Sequence, residues 1–277
     1  MKKTFINIGK VVSFYLCWGI LISISFEIWE RPKFIGDNNA LLRLYWELAP
    51  LIMTILITII FIKILEKRNI IKVNIFKNTN FDTMFGIMAG ALWIGLMLLI
   101  GFGIGILHIE KRIAVPNLFV WILAIFLNTI MQELLVRGYI FSLLSREYKL
   151  PVAISVITAI FTFMHAGAFE AGFLPVVNVV TTSILLSLIL VRSNALWAPI
   201  LMHFIWNSVG RLFGIVYLAD DYPSIFQTTI SGNKLISGGS AGFEGSIIVL
   251  AINCMFIIGV LIYGRFENKK ISKWANT

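Results

Sequence analysis

Three pairs of side chains repeat one interval in this sequence: Glu133 with Arg137, Phe161 with His165, and His203 with Asn207 are each four residues apart in stretches that are otherwise almost wholly apolar. On an α-helix that interval puts both members of a pair on one face. The chain holds only three histidines, and two of them are in this set. Ionisable and amide groups are costly inside a bilayer, so they face one another, a hydrated cavity or a reacting substrate. A carboxylate beside an imidazole can take the proton of a water, and a second imidazole with a carboxamide can donate to a developing oxyanion. Arg137 orients the carboxylate and keeps it ionised. Such a set suits hydrolysis of a peptide bond. Two imidazoles and an acid also match a catalytic zinc set with an open position, although the spacing is not the His-Glu-x-x-His of common zinc proteases. His165 and His203 are therefore candidate zinc ligands, with a metal-free route as the alternative. Gln132, rotated by about 100° from Glu133 on a 3.6-residue helix, points to an adjacent sector.

The elements that carry these groups follow from composition and apolar run length. At 58% hydrophobic and 13% charged residues, with a mean hydropathy of +0.89, the chain has too little polar surface for a soluble domain of its size. It reads as an all-α, polytopic membrane protein whose partner is the lipid bilayer. The net charge of +9 lies mostly outside the apolar runs, as membrane-flanking anchors do, which argues against nucleic acid as a partner. Cys17 and Cys254 fall in separate apolar runs and give no disulfide framework. About 20 apolar residues cross roughly 30 Å of hydrocarbon. By that measure eight segments are expected as spans, at 11–29, 47–65, 84–108, 117–144, 152–166, 175–191, 195–217 and 246–263. They form one integral membrane domain, divided into N-terminal helices (1–116), core helices bearing the polar set (117–217), and an outer loop with the last helix (218–277). No repeat, phosphate-binding loop or barrel-length strand pattern is present.

Alternating the segments places fifteen basic residues on one side, among them Lys2, Lys3, Lys10, Lys67, Arg68, Lys72, Lys269, Lys270 and Lys273, against seven on the other. That excess puts both termini in the cytoplasm, with the first segment an uncleaved span. Measured from the cytoplasmic ends at about 1.5 Å per residue, Glu133, His165 and His203 lie at depths of about 18, 21 and 16 Å. Three separate helices thus bring polar groups to a similar level, as a shared site requires.

Gln132-Glu133-Leu134-Leu135-Val136-Arg137 resembles the Glu-Glu-x-x-x-Arg element of the CAAX protease and bacteriocin-processing family, also called the Abi or type II CAAX prenyl endopeptidase family. Phe161 to His165 resembles its Phe-x-x-x-His element, and His203 to Asn207 its His-x-x-x-Asn element, in the same order. The resemblance covers roughly residues 117–215 and implies an intramembrane endopeptidase acting on a peptide or membrane-protein substrate from the cytoplasmic side. It assigns water activation to the glutamates and the first histidine, and the oxyanion to the second histidine and the asparagine. Whether such enzymes use zinc or glutamate alone is disputed. This chain departs from the pattern at one position, where Gln132 replaces the first glutamate. A carboxamide is no general base near neutral pH. Either Glu133 takes that role with His165, or the chain is a catalytically impaired member that binds a membrane partner or regulates one. The Ile- and Lys-rich composition fits a bacterial plasma membrane, where maturation of a secreted peptide or self-immunity to a bacteriocin would replace prenylated substrates.

Simpler roles compete at each position. Glu133 with Arg137 could be only a structural ion pair, His165 a packing residue bonded to a carbonyl, and His203 with Asn207 an interhelical hydrogen-bonding pair. His108 reads as a solvated interface residue. Glu244 is expected to cap the last helix, Glu170 and Asn178 to line the outer mouth of a cavity, and Trp29, Trp46 and Trp197 to anchor the interfaces.

Overall fold

The computed structural model describes residues 2–28, 30–66, 73–217 and 222–266. Trp29, the basic residues Lys67, Arg68, Lys72, Lys269, Lys270 and Lys273, and the start of the outer loop at 218–221 lie outside the described residues. In chain order the first elements are α1 (Lys2–Ile28), α2 (Asn39–Ile60, running on as a π-helical turn Phe61–Leu65), α3 (Thr79–Gly103), β1 (Leu107–Arg112), α4 (Leu118–Arg137) and α5 (Tyr139–Glu147). They are followed by α6 (Leu150–Met164), α7 (Ala166–Ala171), α8 (Phe173–Ser193), α9 (Trp197–Leu212), β2 (Phe226–Ile230), α10 (Lys234–Ser237) and α11 (Ile247–Phe266). The chain divides into two compact units, each discontinuous in sequence: Met1–Val73 with Pro116–Ala153, and Asn74–Val115 with Ile154–Thr277. The 117–217 segment of the sequence reading contributes to both.

In the first unit α4 packs along α2, and α1 packs on α2 and α5. Where α4 gives way to α5, Gly138 adopts φ −75 and ψ −108, and a Cβ there would meet the Leu134 carbonyl oxygen at 2.2 Å. Only glycine fits so close an approach. The break therefore falls immediately after Arg137 and ends the helix that carries the ion pair. Phe14, Phe61 and Tyr139 pack ring on ring at 5.2 to 5.6 Å and close the interior of this unit. Beside them the buried Glu66 accepts from Lys10 Nζ at 2.5 Å and from the Tyr139 hydroxyl at 3.0 Å.

In the second unit α3 lies against α9, and α8 against α11. Gly86 and Gly90 make the first contact possible: a Cβ at Gly86 would come within 2.6 Å of the Ala198 carbonyl oxygen, and one at Gly90 within 3.1 Å of Met202 Cα. Small residues four apart let two helix backbones approach where no hydrophobic force separates protein from lipid. Trp93 of α3 stacks on Trp206 of α9 at 3.9 Å, and its indole N–H donates to Asn253 Oδ1 of α11 at 2.8 Å. Asn253 in turn donates to Thr181 Oγ1 of α8 at 2.9 Å, so one buried amide ties three helices.

All-helical, membrane-like architecture is as expected; the count of spans is not confirmed. Among the described residues five helices are long and apolar enough to cross a membrane: Lys3–Ile28, Asn39–Leu65, Thr79–Gly103, Leu118–Glu147 and Phe173–Ser193. Leu150–Met164 and Ile247–Tyr263 are apolar but shorter. The first of these spans only about 22 Å at 1.5 Å per residue, less than the hydrocarbon thickness. Helix α9 has 16 residues and contains His203, Asn207 and Arg211. The third helix also stops earlier than expected, at Gly103, because the chain beyond it forms β1, an antiparallel partner of β2 with Leu107 opposite Ile230 and Arg112 opposite Phe226.

One peripheral expectation is corrected. Asn178 does not line a mouth: it is buried and its amide donates to the carbonyls of Glu244 and Ser246 at 2.8 and 2.9 Å, fixing the turn before α11. Ser246 Oγ accepts from the Val249 N–H in the first turn of α11 at 3.3 Å, and Glu244 sits in the 3-10 turn that precedes it. His108 is exposed on β1, as expected, with Nε2 donating to the Gly105 carbonyl at 2.6 Å.

Candidate active site

Helix α4 supplies the acidic part of the set, and its neighbours belong to the first unit. Glu133 and Arg137 are fully buried and joined by Arg137 Nη1 to Glu133 Oε1 at 2.8 Å, the i, i+4 pair that the spacing predicts. The Tyr15 hydroxyl of α1 donates to the carbonyl of Leu135, midway in sequence between the two members of the pair, at 3.2 Å. Gln132, half-buried on the adjacent sector, does not share this ion pair. Its Nε2 donates to Asn128 Oδ1, one turn back, and Asn128 Nδ2 donates to Glu47 Oε2 of α2 at 2.8 Å. Glu47 is itself 4% exposed and paired with Arg43 at 2.8 Å.

Glu47 and Asn128 are polar residues that motif reading passed over. The rule that singled out Glu133 applies to them equally, since Glu47 opens an apolar run and Asn128 lies inside one. Their pairing spans 81 positions and is not encoded in any local interval.

The second unit gathers the imidazoles. Helix α6 ends at Met164, so His165 lies just beyond it, at φ −99 and ψ 60, rather than within a helix running to 166. Its N–H closes a tighter turn onto the Thr162 carbonyl at 3.0 Å, which ends the α-helical ladder. The side chain still folds back as the four-residue spacing requires: the ring lies 4.2 Å from Phe161, and Nδ1 is 2.7 Å from the Phe161 carbonyl oxygen. A carbonyl only accepts, so Nδ1 carries the proton, and in the neutral ring Nε2 carries the lone pair. This is the tautomer that a general base or a metal ligand needs.

His203 reaches the same phenyl ring from α9. Its centroid is 5.9 Å from that of Phe161, edge to face, and the residue is 3% exposed. Asn207 follows one turn later on α9 and is half-buried. The helix is set in place at its start, where the Leu196 and Trp197 N–H groups donate to the carbonyls of Asn74 and Ile75 at 2.8 and 3.0 Å, and the Trp197 indole donates to Thr83 Oγ1 at 2.9 Å. Those bonds satisfy donors that a helix N-terminus otherwise leaves open. Pro199 falls within the first turn, where a missing N–H costs nothing.

The structure thus joins Glu133 to Arg137 in one unit and brings His165 and His203 onto Phe161 in the other. Two imidazoles, His165 and His203, are the nitrogen donors that a zinc ion would take in the second unit. A catalytic zinc takes three protein ligands, and among the described residues no group of three or more His, Cys, Asp or Glu side chains gathers as one.

A helical protein with buried ionisable groups in apolar helices is, by class, a membrane protein with a polar interior site. Residues 114–209 match the family model described as Type II CAAX prenyl endopeptidase Rce1-like, a family of proteases. The resemblance drawn from the three motifs is therefore shown over that stretch, which contains every candidate residue from Gln132 to Asn207. No curated protein and no solved structure matches the chain.

Proposed function

We propose that this protein is an intramembrane endopeptidase in which Glu133, His165, His203 and Asn207 serve one hydrolytic reaction. One observation carries the reading: the single stretch that matches a protease family contains both the buried Glu133–Arg137 pair and the two imidazoles packed on Phe161. In this reaction Glu133, assisted by His165 Nε2, takes a proton from water as its oxygen attacks the scissile carbonyl carbon. His203 and Asn207 donate to the oxyanion that forms. The tetrahedral intermediate collapses with cleavage of the C–N bond, and the proton held by Glu133 passes to the leaving amine. Arg137 orients Glu133 throughout. The reaction is written through side chains alone; stoichiometric zinc in purified protein whose removal abolishes cleavage would overturn that choice.

The substrate class that the family suggests is a peptide or membrane-protein tail of the prenylated CAAX type. In a bacterial membrane it would be a secreted peptide or bacteriocin precursor instead. A cleavage assay in liposomes with wild type, Glu133→Gln and His165→Ala tests the reading, and loss of cleavage in both variants is the expected result. A second reading is favoured by one observation, that position 132 holds an amide bonded to Asn128 rather than a carboxylate. In it the chain keeps the scaffold as a membrane binding or regulatory protein. A wild type that cleaves nothing but retains a partner would support it, and a rise in cleavage on Gln132→Glu would show that the amide had disabled the site.

A further inference from the structure

We propose that Gln132 is a hydrogen-bond acceptor whose orientation is imposed from α2 by Glu47, acting through Asn128. Arg43, Glu47, Asn128 and Gln132 all belong to the first unit. Arg43 Nη2 lies 2.8 Å from Glu47 Oε1, and the carboxylate is buried. An ionised carboxylate has no hydrogen to give. The Asn128 group that meets Glu47 Oε2 must therefore be the NH2, which turns the Asn128 oxygen toward Gln132. That oxygen can only accept, so Gln132 presents its own NH2 to Asn128 and directs its oxygen away. The oxygen and nitrogen of an amide are ordinarily interchangeable by a flip. Here a charge at the end of the chain fixes both amides.

The outcome is an acceptor held in place. Gln132 Oε1 is buried and has no hydrogen-bond partner among the described residues. A buried acceptor without a hydrogen is unfavourable and calls for one from outside the protein. In the hydrolytic reading, on which this step rests, the donor is the O–H of the attacking water or the N–H of the scissile amide. Gln132 is then not a spoiled glutamate but part of a matched set. A glutamate at 132 would set a carboxylate against Asn128 Oδ1, acceptor against acceptor.

Five variants of the full-length protein in nanodiscs test this: Gln132→Met, Gln132→Glu, Glu47→Gln, Asn128→Asp and the exchange Glu47→Gln with Asn128→Asp. The exchange is the informative one. An aspartate at 128 accepts from both neighbours, so the NH2 of Gln132 still faces it and Oε1 still faces away. Side-chain amide resonances of 15N-glutamine-labelled protein give a readout that needs no substrate. The Gln132 pair, identified by its loss in Gln132→Met, is expected to move in Glu47→Gln and in Asn128→Asp and to return toward its original position in the exchange.

Cleavage of a quenched peptide with a farnesylated CAAX end gives the second readout. Gln132→Met is expected to lower kcat by about tenfold with little change in KM, both single variants to fall, the exchange to recover, and Gln132→Glu to bring no gain. Resonances indifferent to Glu47, a Gln132→Met enzyme as fast as wild type, or a faster Gln132→Glu enzyme would each overturn the proposal. If wild type cleaves nothing while the resonances behave as expected, the hydrolytic reading falls and takes the acceptor's reaction with it. The oriented amide chain alone would survive.

Discussion

At the scale of single residues, the difference between a stabilising and a catalytic ion pair lies in what removal of each partner does. Glu133 and Arg137 are buried with 0% side-chain exposure, so truncating the guanidinium leaves a carboxylate in an apolar interior without its cation. Arg137→Ala is expected to destabilise by about 3–5 kcal/mol, whereas Glu133→Gln with Arg137→Met, which removes both charges, costs much less. Thermal unfolding in detergent compares the two, and equal losses would show that charge burial is not what the pair resolves. Phe161 poses the complementary case. Its ring is 2% exposed and forms the surface on which both imidazoles rest. Phe161→Leu keeps most of the apolar volume, so stability should fall by less than about 1.5 kcal/mol. Turnover should drop by at least about tenfold, because small displacements of reacting groups are costly to rate. Retained helicity with lost cleavage is the expected pair of results; unchanged cleavage would reduce Phe161 to packing.

At the scale of elements, the contact between α3 and α9 positions His203, and it depends on two missing side chains. A methyl at Gly86 would meet backbone rather than a side chain that can turn aside. Gly86→Ala should therefore force the helices apart and cost about 1–3 kcal/mol, with a loss of activity that follows the displacement of α9. Gly95→Ala on the same helix, where a Cβ meets nothing within 4 Å, is the control and should be neutral or slightly stabilising. Comparable melting temperatures for the two variants would refute the close-packing account. The elements also show which features sequence can carry. The i, i+4 intervals predicted the Glu133–Arg137 bond and the Phe161–His165 stack, because helix geometry fixes them locally. The exit of His165 from its helix was not visible, since the break comes from a backbone hydrogen bond to Thr162 with no proline at the junction. Likewise β1 pairs with β2 across more than a hundred residues, and Asn128 finds Glu47 across 81. Periodicity describes how a segment is built, and it is silent on which distant segment completes it.

At the scale of the whole molecule, the reaction proposed here draws on both compact units. Glu133 and Arg137 belong to the first, and His165, His203 and Asn207 to the second. Water activation and oxyanion stabilisation act on atoms of one peptide bond, so the mechanism demands that these groups work within a few ångströms of one another. A cysteine pair tests that demand directly. Cys17 and Cys254 are free and exposed, and replacing both with serine gives a background without competing thiols. Glu133→Cys with His203→Cys in that background should be bridged in native membranes by a thiol-specific bifunctional reagent about 10 Å long, since the two side chains reach one peptide bond from different sides and their Cβ atoms stand too far apart for a direct disulfide. Phe119→Cys with His203→Cys is the comparison. Phe119 lies at the opposite end of α4, 14 residues or about 21 Å along the helix from Glu133. Cross-linking of the first pair alone would support a joint site. If the first pair stays unlinked while the same reagent bridges a surface pair in the same membranes, Glu133 and His203 do not meet, and the hydrolytic reaction loses its base.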